Sequence, residues 1–497
     1  METYSVTEFT GGLNNVLHPS FLKNNTGVIF ENIDLVNGKI QSLKGVSTTP
    51  LTQNNPVEFG HYGTRDNSVV KWYDRYYWSN NTTFNPPYYG GNVETLGVEY
   101  PRVQPKLIAE DNTNGKLSGE YKYCITYVNT NGWESAPGSL TNYYSQITVD
   151  NKAVRIMGNE KFPDGIEYAK VYRTIDKGAT FYYIGDLNAS NEYSYLDYID
   201  DEMLQVLPVL ETEYHYPPPD KGKYLSESGG VFFLAVGSKL YFSVPGNPHA
   251  WNPLNFIGFD DEIKGITPEF QGVLVFTSNN TFRVVGAESA ETITKSFIPG
   301  NQGCVSFRTI SHLNNAPVWV SNDGLCMWNG ESLSILSNKV VDMDKLQIRW
   351  AFSANDCYYL FLLNHTIVFD ARNGGIFRTL SFTSNYAWYD ADSDISYLKM
   401  EDNKLYRFLD GDNLQFLYKS PQIGGNEIMI KKFHEILISC GEKTSVTFSI
   451  DGRNIFTQVM NGDGKHRIKL PYSATGRYCQ VELKGNRYVN EYVVLYE

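Results

Sequence analysis

The sequence predicts an all-β fold: a β-propeller with an inserted β-sandwich, fibronectin-III-like in its pattern, and a C-terminal β-domain. Three observations predict it. The chain holds 36 Tyr, 27 Phe and 8 Trp, and aromatic residues fit pleated, half-buried surfaces. They come with 42 Gly and with many Asn and Asp, the residues that make tight turns. Between those turns apolar residues alternate with period two along nearly the whole chain. The one segment with helical spacing is 338–347, with Val340, Val341, Met343 and Leu346 on one side.

A chain of 497 residues predicts two to four domains. Two proline-marked seams divide it, Tyr100–Pro105 (YPRVQP) and His215–Pro219 (HYPPP), because proline cannot join a sheet interior and favours extended spacers. Residues 103–215 between them read as a small sandwich. There Tyr121, Tyr123, Ile125 and Tyr127 alternate with Lys122, Cys124, Thr126 and Val128, followed by a turn at Asn131-Gly132. Residues 1–102 and 216–426 carry hairpins at propeller-like intervals: Val231–Val236 with Lys239–Ser243, Val273–Thr277 with Thr281–Val285, and Pro317–Val320 with Leu325–Trp328. Tyr358–Leu362 with Thr366–Asp370, and Ile395–Met400 with Lys404–Leu409, continue the series. At about 45 residues per blade these stretches accommodate roughly seven blades. The spacing breaks near Asn426, and 427–497 reads as the terminal β-domain.

Composition sets limits on function. A net charge of −13 argues against tight nucleic-acid binding, which draws on basic contacts, yet suits a wall that DNA slides past. The opening Met1–Thr10 lacks the basic and apolar regions of a secretory signal. The apolar run Cys357–Leu363 is too short to span a bilayer, so no membrane partner is expected. The six cysteines, at 124, 304, 326, 357, 440 and 479, have neither zinc nor redox spacing and read as buried thiols.

Sequence motifs for chemistry are sparse. The eight histidines, at 18, 61, 215, 249, 312, 365, 434 and 466, stand alone, and nucleophile elbow, P-loop and dinucleotide fingerprint are lacking. No catalytic, cofactor or metal residue is therefore assigned, and no cofactor is expected. Asp390, Asp392 and Asp394 with Glu401 imitate a calcium loop, but Ile395 occupies the place where the turn wants Gly. Ser321–Trp328 and Ser449–Phe456 are near misses to an Asp-box, a structural turn. Asp200–Glu202 and Asp260–Glu262 are read as surface acids in preference to a glycosidase pair. The aromatic run Trp72–Trp78 (WYDRYYW) is read as covering a sheet face or subunit contact, with sugar or partner binding the other possibility.

Several of these stretches resemble the β-propeller nozzle, or hub, proteins of short-tailed bacteriophages, the packaged-DNA stabilisation family. Phe9–Asn15 (FTGGLNN), Glu31–Asp34, Asn37-Gly38 and Leu43–Gly45 are similar to that family's opening. Tyr121–Pro137 with Tyr172–Thr174 resembles the fibronectin-III-like module of tail proteins. Phe242–Trp251 (FSVPGNPHAW) resembles a recurring blade motif, and Phe448–Phe456 with Tyr478–Lys484 the C-terminal domain. The motifs occur in the family's order and cover most of the chain, although the insertion at 103–215 departs from the simplest members. The resemblance implies a virion protein without catalytic residues. It implies a ring of six copies docked on the adaptor below the portal, whose lumen retains and then passes DNA, with the insertion contacting tail fibres or neighbours. A glycan-processing or glycan-binding propeller is the rival expectation.

Overall fold

The structure, a computed structural model, describes residues 2–49, 66–82, 87–90, 94–115, 117–159, 161–289, 291–343, 346–390, 394–424 and 429–497. The chain is all-β, of the propeller type, with many small sheets made of sequence-adjacent strands. Asn67–Trp72, Arg75–Asn80, Tyr88–Tyr89 and Glu94–Thr95 pair consecutively, as do Lys223–Ser228, Val231–Val236, Lys239–Val244 and Asn247–Gly258. Gly265–Glu269, Gly272–Phe276, Thr281–Val285 and Thr294–Ile298 form a further meander, and so do Ser311–Leu313, Ala316–Ser321, Gly324–Trp328 and Leu333–Ile335. Ile348–Ala354, Cys357–Leu362, Thr366–Asp370 and Ile376–Leu380 make another, and Tyr386–Asp390, Ile395–Lys399 and Leu405–Arg407 a three-stranded one. The apolar runs form the strands buried on both faces: every residue of Cys357–Leu362 and of Thr366–Asp370 is buried, as a short continuous hydrophobic run demands. All five expected hairpins are present. One of the tightest has Val236 opposite Lys239 across Gly237-Ser238, where Gly237 takes φ 60°, the left-handed conformation that such two-residue loops need.

By compactness the chain divides into two units: Met1–Asp66 with Leu274–Phe282 and Phe297–Glu497, and Asn67–Val273 with Arg283–Ser296. The second contains the sandwich. Its one sheet joins Lys106–Glu110, the distal half of Ser145–Met157, and Ser194–Asp197. Its other joins the proximal half of Ser145–Met157 to Leu117–Asn129, Ile166–Arg173 and Tyr182–Leu187. Tyr121, Tyr123, Ile125 and Tyr127 fill the core between them, as their alternation predicts. At its centre the fully buried Arg173 guanidinium donates to Asp197 Oδ2 at 2.9 Å and to Asp201 Oδ1 at 3.0 Å, and Tyr123 OH donates to Asp197 Oδ2 at 2.8 Å. Burial raises the Asp197 carboxyl above its ordinary value, and these partners offset only part of that cost.

The first unit contains a terminal β-sandwich that differs from expectation in its membership. The opening residues, expected to begin the propeller within 1–102, pair with the end of the chain instead. Glu2–Val6 runs antiparallel to Tyr488–Tyr496, and Lys39–Ser42 continues along the same strand. In the facing sheet Ile29–Glu31 lies between Ile376–Leu380, which it meets in parallel, and Phe416–Lys419. Phe416–Lys419 in turn joins Cys479–Gly485 and Ser445–Ile450. Taking the opening segment out of the blade series also explains the blade count. Five four-stranded meanders and one of three strands stand among the described residues, against roughly seven expected. The helix expected at 338–347 is replaced, over its described residues, by turns at 336–340 and irregular backbone. Val341 is nonetheless buried in the core and Val340 packs on it; its helical spacing reflects burial of an irregular segment.

Asn32 and its neighbours fix this crossing. Asn32, at φ 55°, donates to Ser381 Oγ and to Gln415 O at 2.9 Å and accepts the Ser381 N–H. Beside it Arg378, 1% exposed, donates to Ile33 O at 2.6 Å and to Asp34 Oδ1 at 2.9 Å, and lies 3.2 Å from Asp370 Oδ2. Burial alone would push the Asp370 carboxyl up, but Arg372 and Arg378 hold it below the ordinary range. Replacing Arg378 by Met is expected to cost about 3–5 kcal/mol, the penalty for stranding a buried partner charge. Replacing the more exposed Arg372 by Ala costs visibly less. Urea denaturation of both variants, followed by tryptophan fluorescence, checks the order.

Candidate functional site

Three of the sequence motifs come together in the unit built on Asn67–Val273. The aromatic run forms a hairpin in which Trp72 and Arg75 pair across Tyr73 and Asp74. Alternation sends Tyr77 inward, where it meets Phe232 edge-on at 5.1 Å, and Trp72 meets the same ring at 5.7 Å. This is the sheet-covering role expected of most of the run. Tyr73 is different: it is 79% exposed and takes φ 50°.

The second motif is the loop 131–137 of the sandwich. Asn129 Oδ1 accepts the N–H groups of Asn131 and Trp133, both at 3.0 Å, a side-chain turn that lets the backbone reverse at Gly132, φ 75°. Glu134 then anchors the loop to the sandwich. Its Oε1 accepts from Thr126 at 2.6 Å and from Tyr172 at 2.7 Å, and its Oε2 accepts from Lys170 at 2.5 Å. Held this way, Trp133 projects between two aromatic neighbours. Tyr89 lies 4.6 Å away at 51°, and His249 stacks parallel, 4.7 Å away at 1°.

His249 belongs to the third motif, Phe242–Trp251. Trp251 is locked beneath it, its Nε1 donating to Pro248 O and its N–H to Tyr216 O, both at 2.8 Å. The second proline seam brings His215 to within 6.1 Å of His249, ring to ring. Burial lowers both imidazoles, His249 to about 3 with the neighbouring His215 adding to the shift, so both are neutral at pH 7. By sequence spacing alone these histidines stand isolated. The only sequence signal of their meeting is that each sits beside prolines, in HYPPP and in PGNPH.

Together these elements line a cleft of about 500 Å³. Its walls are Trp72, Trp133, His215 and His249, and its rim carries Tyr73, Asp74, Arg75 and Asn247. Two carboxylates border it. Glu134 is committed to three close donors, while the exposed side chains of Asp74 and Arg75 make no hydrogen bond or ion pair among the described residues, Arg75 acting only electrostatically on the Tyr77 and Tyr89 phenols. The cleft offers aromatic surface and a few rim polar groups.

The other candidates separate into turns and surface acids. Asp200 caps the one-turn helix Asp201–Leu204 by accepting the Met203 N–H, and Asp201 serves Arg173. Asp261 accepts the Glu262 N–H, and Glu262 pairs with Lys264. In the calcium-like loop Asp392 lies outside the described residues. Tyr389 OH donates to Asp394 at 2.6 Å, and Arg349 to Glu401 at 2.6 Å, which commits the residue meant to close the shell. In the two near Asp-boxes Ser321 Oγ accepts the Asp323 N–H, and Asp451 Oδ1 accepts those of Arg477 and Tyr478, so both are structural turns. All six cysteines are free and buried. Among the described residues no three His, Cys, Asp or Glu gather as a metal site would require.

No protein-family model matches the sequence, and no curated protein matches it. Among solved structures, the Citrobacter koseri AztD structure aligns over 71% of this chain and 98% of its own at 8% identity, TM-score 0.30. The computationally designed Ika8 protein covers 77% and 99% at 8% identity, TM-score 0.29. The Myxococcus xanthus glutaminyl cyclase covers 37% and 88% at 11% identity, TM-score 0.23. At such scores these similarities say nothing about the chemistry of the cleft.

Two outcomes follow from the geometry. The native state holds His249 neutral down to about pH 3, whereas the unfolded chain takes up its proton near pH 6.5. Stability from this group is therefore complete above pH 6.5 and declines as the pH falls toward 3. Melting temperature should drop from pH 7 to pH 5, above the carboxylate range, and His249→Phe, which keeps the ring on Trp133, should flatten that drop. For the loop at 390–401, millimolar calcium should leave the melting temperature unchanged; a rise abolished by Asp392→Ala would restore a cation site there.

Proposed function

We propose that the chain is a structural, non-enzymatic subunit of a bacteriophage tail, a nozzle or hub lying below the portal and adaptor. In this reading it assembles as a ring, retains packaged DNA and guides it out during ejection. The observation that carries the proposal is how the resemblance motifs are used. Gly12 approaches Ile376 and Phe377 so closely that a Cβ there would fall within 2.8 Å of both. Asn32 and Asp34 of the same opening bind the blade strand Ile376–Leu380. These opening residues, which carry part of the likeness to nozzle proteins, are thus used in packing, and that supports an architectural role.

Charge supports the same reading. With a net charge of −13, a wall repels phosphates and lets DNA slide without adhering. Glu134 at the cleft, and Asp200, Asp201, Asp261 and Glu262 of the acidic clusters, are engaged in caps, turns and ion pairs. Glycan hydrolysis needs two carboxylates flanking one bond, and at the cleft Glu134 is already held by Thr126, Tyr172 and Lys170, so turnover there is not proposed. The sandwich insertion is the part of the chain proposed to meet tail fibres or neighbouring subunits.

Immunogold electron microscopy of intact particles, with antibody against this chain, tests the role. Gold on the tail axis beneath the portal is the expected result. Gold on peripheral fibres, or none on the particle, overturns it.

A further inference from the structure

The hairpin tip at Tyr73 breaks a local rule. A two-residue hairpin turn wants Asn or Gly at its positive-φ positions, yet a tyrosine occupies φ 50° there with 79% of its surface in solvent. A bulky residue in the left-handed region is strained, and burial of this ring does little to compensate. The strained ring stands over Trp72, 4.6 Å away at 71°, at the rim of the 500 Å³ cleft. That size falls within the range of pockets for small ligands.

The polar groups at the same rim narrow the ligand. Asp74 and Arg75 follow Tyr73 directly, both exposed and with side chains that make no hydrogen bond or ion pair among the described residues, and Asn247 lines the same opening. Asp74 supplies acceptors and Arg75 donors for the hydroxyls of a ligand at this rim, and their charges cancel. The histidines behind them carry no charge at neutral pH. An anionic ligand would meet Asp74 and a cationic one Arg75. A polyproline segment, which offers rings but few donors, would leave Asp74 unused. Flat apolar surface beside paired donors and acceptors matches a sugar ring, with its C–H face and its vicinal hydroxyls.

We propose that this cleft is a saccharide-binding site that takes a neutral pyranose unit, stacked on Tyr73 where it stands edge-on to Trp72, with vicinal hydroxyls on Asp74 and Arg75. The site binds without turnover. It goes beyond the tail role and fails independently of it, since a particle can carry the chain on its axis with or without glycan affinity.

The test uses the full chain on an array of neutral and acidic bacterial surface glycans, with decaproline included as a peptide probe. Neutral glycans should bind, and saturation-transfer NMR should place the sugar ring protons against aromatic protons. Tyr73→Gly separates binding from folding, because glycine relieves the left-handed strain. Its melting temperature should stay level or rise while affinity falls at least tenfold, and Arg75→Ala should lose affinity by a similar factor. Absence of binding to every neutral glycan, undiminished binding by Tyr73→Gly, or capture of decaproline in preference to sugars would each overturn the proposal.

Discussion

The buried guanidinium of Arg378 is the interaction on which the first unit depends. It sits where Ile29–Glu31 enters between Ile376–Leu380 and Phe416–Lys419, joining a blade to the terminal sandwich. Parallel pairing contributes a single register match there, Glu31 opposite Thr379, so the ladder alone is a weak clamp. Arg378 supplies what the ladder lacks: it binds the Ile33 carbonyl and the Asp34 carboxylate while remaining bound to its own sheet through Asp370. Taking the charge out of water is costly, and at that depth the carbonyl of Ile33 and the carboxylates of Asp34 and Asp370 offset the cost in this register. Asn32 secures the neighbouring position by satisfying Ser381 on both its donor and acceptor sides.

The inserted sandwich solves its own closure in the same way. Arg173, on Ile166–Arg173, binds Asp197, the Ile199 carbonyl and Asp201, tying one sheet to the edge of the other. Around it the core is aromatic and aliphatic and supplies most of the burial energy. In both units a buried arginine at a strand junction ties together the strands that meet there. Hydrophobic burial, being non-directional, leaves open which strands meet.

This division explains what the sequence reveals. Strands and hairpins were legible because alternation and turn residues act over a few neighbours, and Tyr121 to Tyr127 or Gly237-Ser238 carry their own instructions. Membership of the terminal sandwich was not, because Glu2–Val6 finds Tyr492 to Tyr496 across almost the whole chain, and nothing in either strand names the other. The irregular segment around Val341 misled for a related reason: buried apolar residues at helical spacing look alike whether a helix or a turn carries them. At the cleft the motifs themselves were visible, the aromatic run and the PGNPHAW stretch among them. Their convergence through Trp133, His215 and His249 was not, since it is made by tertiary packing.

The cleft also divides its residues by how firmly they are held. Glu134 uses three donors to fix one loop, and that loop fixes the plane of Trp133 against His249. The imidazole is neutral because it is buried, so the stack adds no charge that a ligand would have to overcome. Glu134 and Trp251 thus have their hydrogen bonds, while the buried Nδ1 atoms of His215 and His249 in the same wall have none. The groups at the rim, Tyr73 and Asp74 on a two-residue turn and Arg75 at the start of the strand that follows, are placed by the strands beneath them. Such a turn can present side chains rigidly without burying them. A rigid aromatic wall beneath an exposed polar rim suits recognition of a ring with hydroxyl edges, and Glu134, the carboxylate behind that wall, is engaged in holding it.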